Sequence, residues 1–475
     1  MSQERYDKSS PQSILRRARR LLGKSLRELY PDIKETNAGK GNLGQCVERH
    51  LFEYEPNSNS KPDFERAGVE LKCTPLKQIK DGSMVSKERL VLNIINYLEE
   101  GDAGNRFETS SFSRKNALLL LMFYLHLAGV DNLDLVFKII RLWKIPREDL
   151  KIFRDDWKII HDKIANGRAH ELSEGDTLYL AACIKGSKGG ANKRPQPGTS
   201  VLADQRAYSI KSSYLNFIIA ESMTHSAMCD DVRITDEQLS KIAKKKEAAG
   251  NAVRSESEYK DGETFEQLIS RRFRPYLGLS VTAIARKLKT SVSQSPKAVS
   301  YSLCRAILGV KTNEIAEFKK AGVLIKTIRL EESGTLKEAM SFQSIKYNEI
   351  PGEKTWESSD WYNTVVRRFF FVVFRKKRGG TPQDAVLEDI FFWAMPRKDV
   401  DKCKRYWKDI RTKVIDGDYD RFLKSSEHPI CHVRPKAKNA ADLTDTPQGG
   451  KAKKYCYWLN REYVLNIVNS HLQSH

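Results

Sequence analysis

A stretch of ten residues occurs twice in this chain: Asp63-Phe-Glu-Arg-Ala-Gly-Val-Glu-Leu-Lys72 returns as Glu317-Phe-Lys-Lys-Ala-Gly-Val-Leu-Ile-Lys326. Further repeats follow. Trp143-Lys-Ile-Pro146-Arg147-Glu-Asp149 returns as Trp393-Ala-Met-Pro396-Arg397-Lys-Asp399, Trp157-Lys158 as Trp407-Lys408, and Lys163-Ile-Ala-Asn-Gly167 as Lys413-Val-Ile-Asp-Gly417. Nearer the start, Leu22-Gly23-Lys-Ser25-Leu26 matches Leu277-Gly278-Leu-Ser280-Val281. The matches keep their order, at offsets drifting only between 250 and 255 residues. A solenoid repeats every ~20–50 residues, so a period of this length means a whole domain written twice. The 475 residues divide accordingly into a first copy, 1–232, a charged linker, 233–264, and a second copy, 265–475. Lys244-Lys-Lys in the linker reads as a solvated face more readily than as a phosphate contact.

Each copy reads as α/β. Pro11 to Leu29 carries apolar residues at helical spacing (Ile14, Leu15, Ala18, Leu21, Leu22), and Leu43 to Tyr54 suggests a second helix. Val69-Glu-Leu-Lys alternates apolar and charged residues, as a strand with one buried face does. Leu118 to Leu127 and Phe369 to Phe374 are continuous apolar runs, expected of central strands covered on both faces. This order predicts a mixed sheet flanked by helices in each copy.

The charge balance narrows the partner. Against 61 acidic side chains stand 82 Lys and Arg, a surplus of +21 in a chain that is 40% hydrophobic, and a folded protein so basic points to a polyanion. Nucleic acid comes first and an anionic membrane surface second. The longest apolar stretch, Ala117 to Ala128, is broken by His126 and falls short of the ~20 residues of a spanning helix. The N-terminus lacks the basic region and apolar run of a secretory signal, so a cytoplasmic protein without membrane contact is expected. Eight dispersed cysteines with no CxxC pair argue against a disulfide framework. His428, Cys431 and His432 come nearest to a metal cluster but lack a second half at suitable spacing, and read as structural.

Asp63, Glu70 and Lys72 form the pattern D-x6-E-x-K, with Glu70 and Lys72 two apart and so on one face of the strand. An exposed strand of alternating charges would give the same spacing. Val69 and Leu71, however, supply a buried face while the charges converge on the other. Converging carboxylates repel unless a cation lies between them, and two carboxylates with a backbone carbonyl suit Mg²⁺. Lys72 beside such an ion would help activate a water and neutralise charge building on a phosphate.

Lys40-Gly41-Asn-Leu-Gly44-Gln45-Cys-Val-Glu48, then Asp63 through Lys72, Glu108-Thr109-Ser110 with Lys115, and Asp156-Trp157, closely resemble the MutH and Sau-type family of GATC endonucleases, within the PD-(D/E)xK nuclease fold. The duplicated layout is similar to the Sau-type restriction enzymes. The resemblance implies two tandem MutH-like domains. It implies Asp63, Glu70, the Leu71 backbone carbonyl and Glu48 as metal ligands, Lys72 as catalytic lysine, and Lys115 as a further active-site or phosphate contact. Glu48 and Lys115 alone would read as surface charges. Lys40 stands where the family has a DNA-contacting lysine.

In the second copy Leu324 stands at the position of Glu70, Glu317 at that of Asp63 and Cys304 opposite Glu48, so this copy is expected to be inert as a nuclease. Its segment His432-Val-Arg434-Pro-Lys436-Ala-Lys438 nevertheless resembles the MutH recognition segment. Arg434 is the candidate base reader, since an arginine binds guanine O6 and N7 bidentately, with phosphate contact alone by Arg434 and Lys436 as the alternative, and Lys438 is a further DNA-binding candidate. The first copy offers Lys185, Lys188, Lys193 and Arg194 in a basic, Gly-rich loop, and Lys211 beyond it. Tyr457 reads as core.

The expected function is a Mg²⁺-dependent type II restriction endonuclease cutting GATC before the G, with the second copy as a DNA-bound effector. A strand-nicking or methylation-dependent relative and a non-catalytic DNA-binding protein are the competing readings. One nuclease site per chain predicts a DNA-induced homodimer, monomeric when free, and the family implies a cognate DNA methyltransferase.

Overall fold

The computed structural model describes residues 6–33, 42–57, 59–79, 82–186, 192–225, 249–290, 299–437, 439 and 441–473. Lys40, Lys188, Lys438 and the Lys244–Lys246 run lie outside them. Two compact units are present: Met1–Lys260 with Val310–Gly322, and Asp261–Gly309 with Val323–His475.

In the first unit a four-stranded sheet runs in the order Met84–Ser86, Val69–Gln78, Leu118–Leu125, Phe137–Trp143. Val69–Gln78 pairs parallel with Leu118–Leu125, Val69 facing Leu118, while the two flanking pairs are antiparallel. The continuous apolar run is the central strand: Leu119 through Phe123 are fully buried. A second, antiparallel sheet sets Arg206–Ile210 between Leu90–Ile94 and Leu180–Ile184. Between its last two strands, Lys193–Gln196 and Thr199–Asp204 form a hairpin. The helix Arg147–Ala165, started by Pro146, buries Ile152, Phe153, Trp157, Ile160 and Ile164 at helical spacing.

The second unit repeats the plan. Leu324–Leu330 pairs parallel with Arg368–Arg375, Leu324 facing Phe369, and Val386–Ala394 completes the sheet antiparallel. Met340–Ser344, Tyr455–Leu459 and Cys431–Pro435 form the antiparallel sheet, and Arg397–Asp416 is the long helix after Pro396. Each copy enters its first strand through a left-handed glycine, Gly68 at φ 63° and Gly322 at φ 66°, a conformation that side chains with a Cβ disfavour.

The segment Val310–Gly322 belongs to the first unit by its bonds. Glu317 accepts the N–H groups of Ala252 and Val253 at 2.8 and 3.0 Å, and Lys320 donates to both oxygens of buried Asp149 at 2.8 and 2.9 Å. His428 and His432 are structural: His428 Nδ1 accepts the N–H groups of Ile430 and Cys431, and His432 Nδ1 meets Asn460 Oδ1 at 2.6 Å. Tyr457 is core, stacked on Trp361 at 4.4 Å.

Candidate active site

The strand Val69–Gln78 brings the charges together. Lys72 Nζ lies 2.6 Å from Glu70 Oε1, as expected of residues two apart on one face. The N–H of Leu71 donates to Asp63 Oδ2 at 2.8 Å, and the N–H of Asp63 donates to Glu70 Oε2 at 3.2 Å, so loop and strand fix the two carboxylates reciprocally. Lys115 Nζ is 3.8 Å from Glu70 Oε1 and donates to the carbonyl of Asn59 at 2.5 Å. One expectation fails: the charged face is not open. Glu70 is 2% exposed, as buried as Val69 and Leu71, because the Asp63 loop and Lys115 cover it.

Glu48 reaches this group from a distorted helix. The helix Asn42–Cys46 widens into a π-turn over Val47–Leu51, where Phe52 N–H bonds back to Val47. Such turns replace the continuous helix read for Leu43 to Tyr54 and frequently occur at functional sites. Burial, then the charge of Asp63, raises the Glu48 carboxyl to about 7, with Lys72 opposing. Glu70 is raised as well, chiefly by burial and against the pull of Lys72. Tyr54 was not legible as a site residue: its buried hydroxyl has no hydrogen-bond partner among the described residues, and Asp63 and Glu48 add to burial in raising its pKa.

Among the described residues no three His, Cys, Asp or Glu side chains are preset around one point as a ligand group. The donor chemistry nonetheless fits a hard divalent cation. Burial raises both Glu48 and Glu70, the charge of Asp63 adds to each, and the orphaned Tyr54 hydroxyl adds an unsatisfied oxygen beside them.

Comparison with known proteins gives this arrangement its context. The family model described as "DNA mismatch repair enzyme MutH" matches residues 52–156 and again 308–405. The chain is 33% identical over 486 aligned positions to the type II restriction enzyme Sau3AI of Staphylococcus aureus, covering 95% of this chain and 92% of that protein. The chain belongs to the MutH/Sau3AI-type family. It is 26% identical to the DNA mismatch repair protein MutH of Shewanella amazonensis and 24% identical to that of Shewanella baltica, over 45% and 43% of its own length. This MutH/Sau3AI-type chain is thus an enzyme of the DNA-cleaving hydrolase class, its two family matches falling on the two copies.

The remaining residues expected at DNA lie elsewhere in this MutH/Sau3AI-type chain. Lys185 is exposed where Leu180–Ile184 ends. Lys193 and Arg194 open the hairpin, Lys193 paired with Asp204 at 2.7 Å and Arg194 bonded to Gln205 at 3.0 Å. Lys211 is engaged inward, its ammonium donating to the Thr177 carbonyl. Asp156 accepts the N–H groups of Leu178, Tyr179 and Leu180 at 2.6–2.9 Å, a clamp on the following strand. In the second unit Arg434 is exposed and stacks over Trp458 at 3.6 Å, and Lys436 donates to Ser341 Oγ at 2.8 Å.

Proposed function

We propose that this enzyme is a type II restriction endonuclease that hydrolyses double-stranded DNA at GATC, ahead of the G, with Mg²⁺ in the first unit. The observation that carries the reading is the group of half-buried Glu48 and Asp63 with buried Glu70, Lys72 seated on Glu70, in a chain similar nearly end to end to a type II restriction enzyme. Asp63, Glu70, the Leu71 carbonyl and Glu48 would hold the ion. When bound, Mg²⁺ supplies Lewis-acid charge to the scissile phosphate and lowers the pKa of the attacking water. Lys72, held by Glu70 at 2.6 Å, places its ammonium where the phosphate gains negative charge during in-line attack. Lys115 adds a second, positioned by the Asn59 carbonyl.

The 1–232 and 265–475 copies act as separate domains joined by 233–264, the second a DNA-bound effector without its own chemistry. One site faces one strand of an antiparallel duplex, so two chains meet on the palindrome, DNA-induced and monomeric when free. A cognate methyltransferase protects the host's sites, and the enzyme works in the cytoplasm; no helix among the described residues is long and apolar enough to cross a membrane. A plasmid incubated with the protein and Mg²⁺ tests the reading. Linear products with GATC ends are expected; nicked circles indicate the strand-nicking alternative, and shifted but uncut DNA overturns the enzymatic assignment.

A further inference from the structure

The degenerate site of the second unit has reversed its charge. In the first unit Lys72 is neutralised by Glu70 at 2.6 Å, whereas Lys326, its counterpart, has Leu324 at that position. Lys326 Nζ donates to the Ser341 carbonyl at 2.8 Å and lies 3.9 Å from the centre of the Phe342 ring. A second ammonium reaches the same residue, Lys436 donating to Ser341 Oγ at 2.8 Å. Lys436 is also 5.2 Å from the Trp458 ring, over which the Arg434 guanidinium stacks at 3.6 Å. Arg367, with Asp360 as its neighbouring acid, adds a further positive charge felt at Lys326. No Asp or Glu forms an ion pair with Lys326, Arg434 or Lys436 among the described residues. Burial, then Lys436 and Arg367, push the Lys326 ammonium down to about 8.

Like charges gathered on one residue without a carboxylate are unfavourable until an anion joins them. The first unit poses the mirror problem, carboxylates that a cation would relieve. DNA phosphate is the anion that fits, because Lys326 stands at the position of the first unit's catalytic lysine and is met at Ser341 by Lys436, which follows the strand Cys431–Pro435 that carries Arg434.

We propose that Lys326 and Lys436 seat one phosphodiester group of DNA without a metal ion. The inference rests on the reading of the second unit as a DNA-bound effector and deepens it: it names the side chains that hold the backbone and removes the cation from that contact.

The test uses the full chain and a GATC duplex in EDTA, where cutting is stopped, with binding followed by fluorescence anisotropy across a salt series. Lys326→Met should weaken binding several-fold and reduce the slope of log affinity against log salt by ~0.9, the loss of one phosphate contact. Its melting temperature should rise, because an uncompensated charge has gone, which also reports that it folds. Lys326→Arg should keep the slope, and Leu324→Glu, which supplies the missing carboxylate, should lose it. A Lys326→Met protein with the parental slope and affinity overturns the phosphate seat alone. If the parent neither binds nor cuts GATC DNA, the effector reading fails and takes the seat with it.

Discussion

At the residue scale the proposed chemistry turns on how Lys72 and the carboxylates hold one another. Lys72→Ala removes the cation seated on Glu70 while leaving the strand's buried residues in place. Cleavage in single-turnover assays should fall by at least ~10²–10³-fold, the cost of losing one donor to developing charge, with duplex binding in EDTA retained. Normal cutting by this variant would remove Lys72 from the site. Glu48 makes a separate prediction. Its folded pKa is raised to about 7 from 4.5, so the stability linked to its proton is present in full below the lower value and is lost as pH rises through 7. In EDTA the melting temperature should therefore decline between those pH values. Glu48→Gln should flatten part of the decline, the remainder coming from Glu70, which is raised in the same direction. The D-x6-E-x-K pattern was legible because strand alternation puts Glu70 and Lys72 on one face. The burial of Glu70 was not, since it depends on a loop and on Lys115, which is 45 residues away in sequence.

At the scale of elements, the helices and strands that followed from periodicity are those with a strong apolar pattern. Leu118–Leu125 and Arg368–Arg375 are central strands in both copies, as their continuous apolar runs require. The Leu43 to Tyr54 pattern marked a helix but could not show the π-turn, which alters backbone bonding without changing composition. Asp156 is a similar case: sequence placed it within a family motif, and three backbone N–H groups reveal it as the clamp between Arg147–Ala165 and Leu180–Ile184. An asparagine has one acceptor oxygen, and its amide would face a donor. Asp156→Asn should cost about 2–3 kcal/mol in urea unfolding, while the folded fraction keeps its cleavage rate. The second copy solves the same problem differently, with the Tyr406 hydroxyl accepting the Val433 N–H at 2.7 Å. That bond fixes the strand carrying Arg434. Arg434→Ala should weaken binding to GATC by ~1–3 kcal/mol in competition against unrelated duplexes. An equal loss on every sequence would make it a phosphate contact.

At the scale of the whole molecule, the proposed function assigns chemistry to one copy and recognition to the other, because the second has Leu324 where the first has Glu70. The two lysines Lys72 and Lys326 descend from one position, yet one is paired with a carboxylate and the other is not. If the second unit is an effector occupied by its own GATC, then cutting at the first unit should depend on a second site being available. A plasmid with two GATC sites should be linearised faster per site than a plasmid with one, at equal site concentration. Adding a short GATC duplex should rescue the one-site plasmid at low ratios and compete at high ratios. The +21 surplus adds a salt signature, because binding through two surfaces releases more counterions than binding through one. The rescue should therefore fade with added salt more steeply than cleavage of the two-site plasmid, where both sites are already tethered. Equal rates on the two plasmids, with no effect of added duplex at any salt concentration, would reduce the second unit to a scaffold.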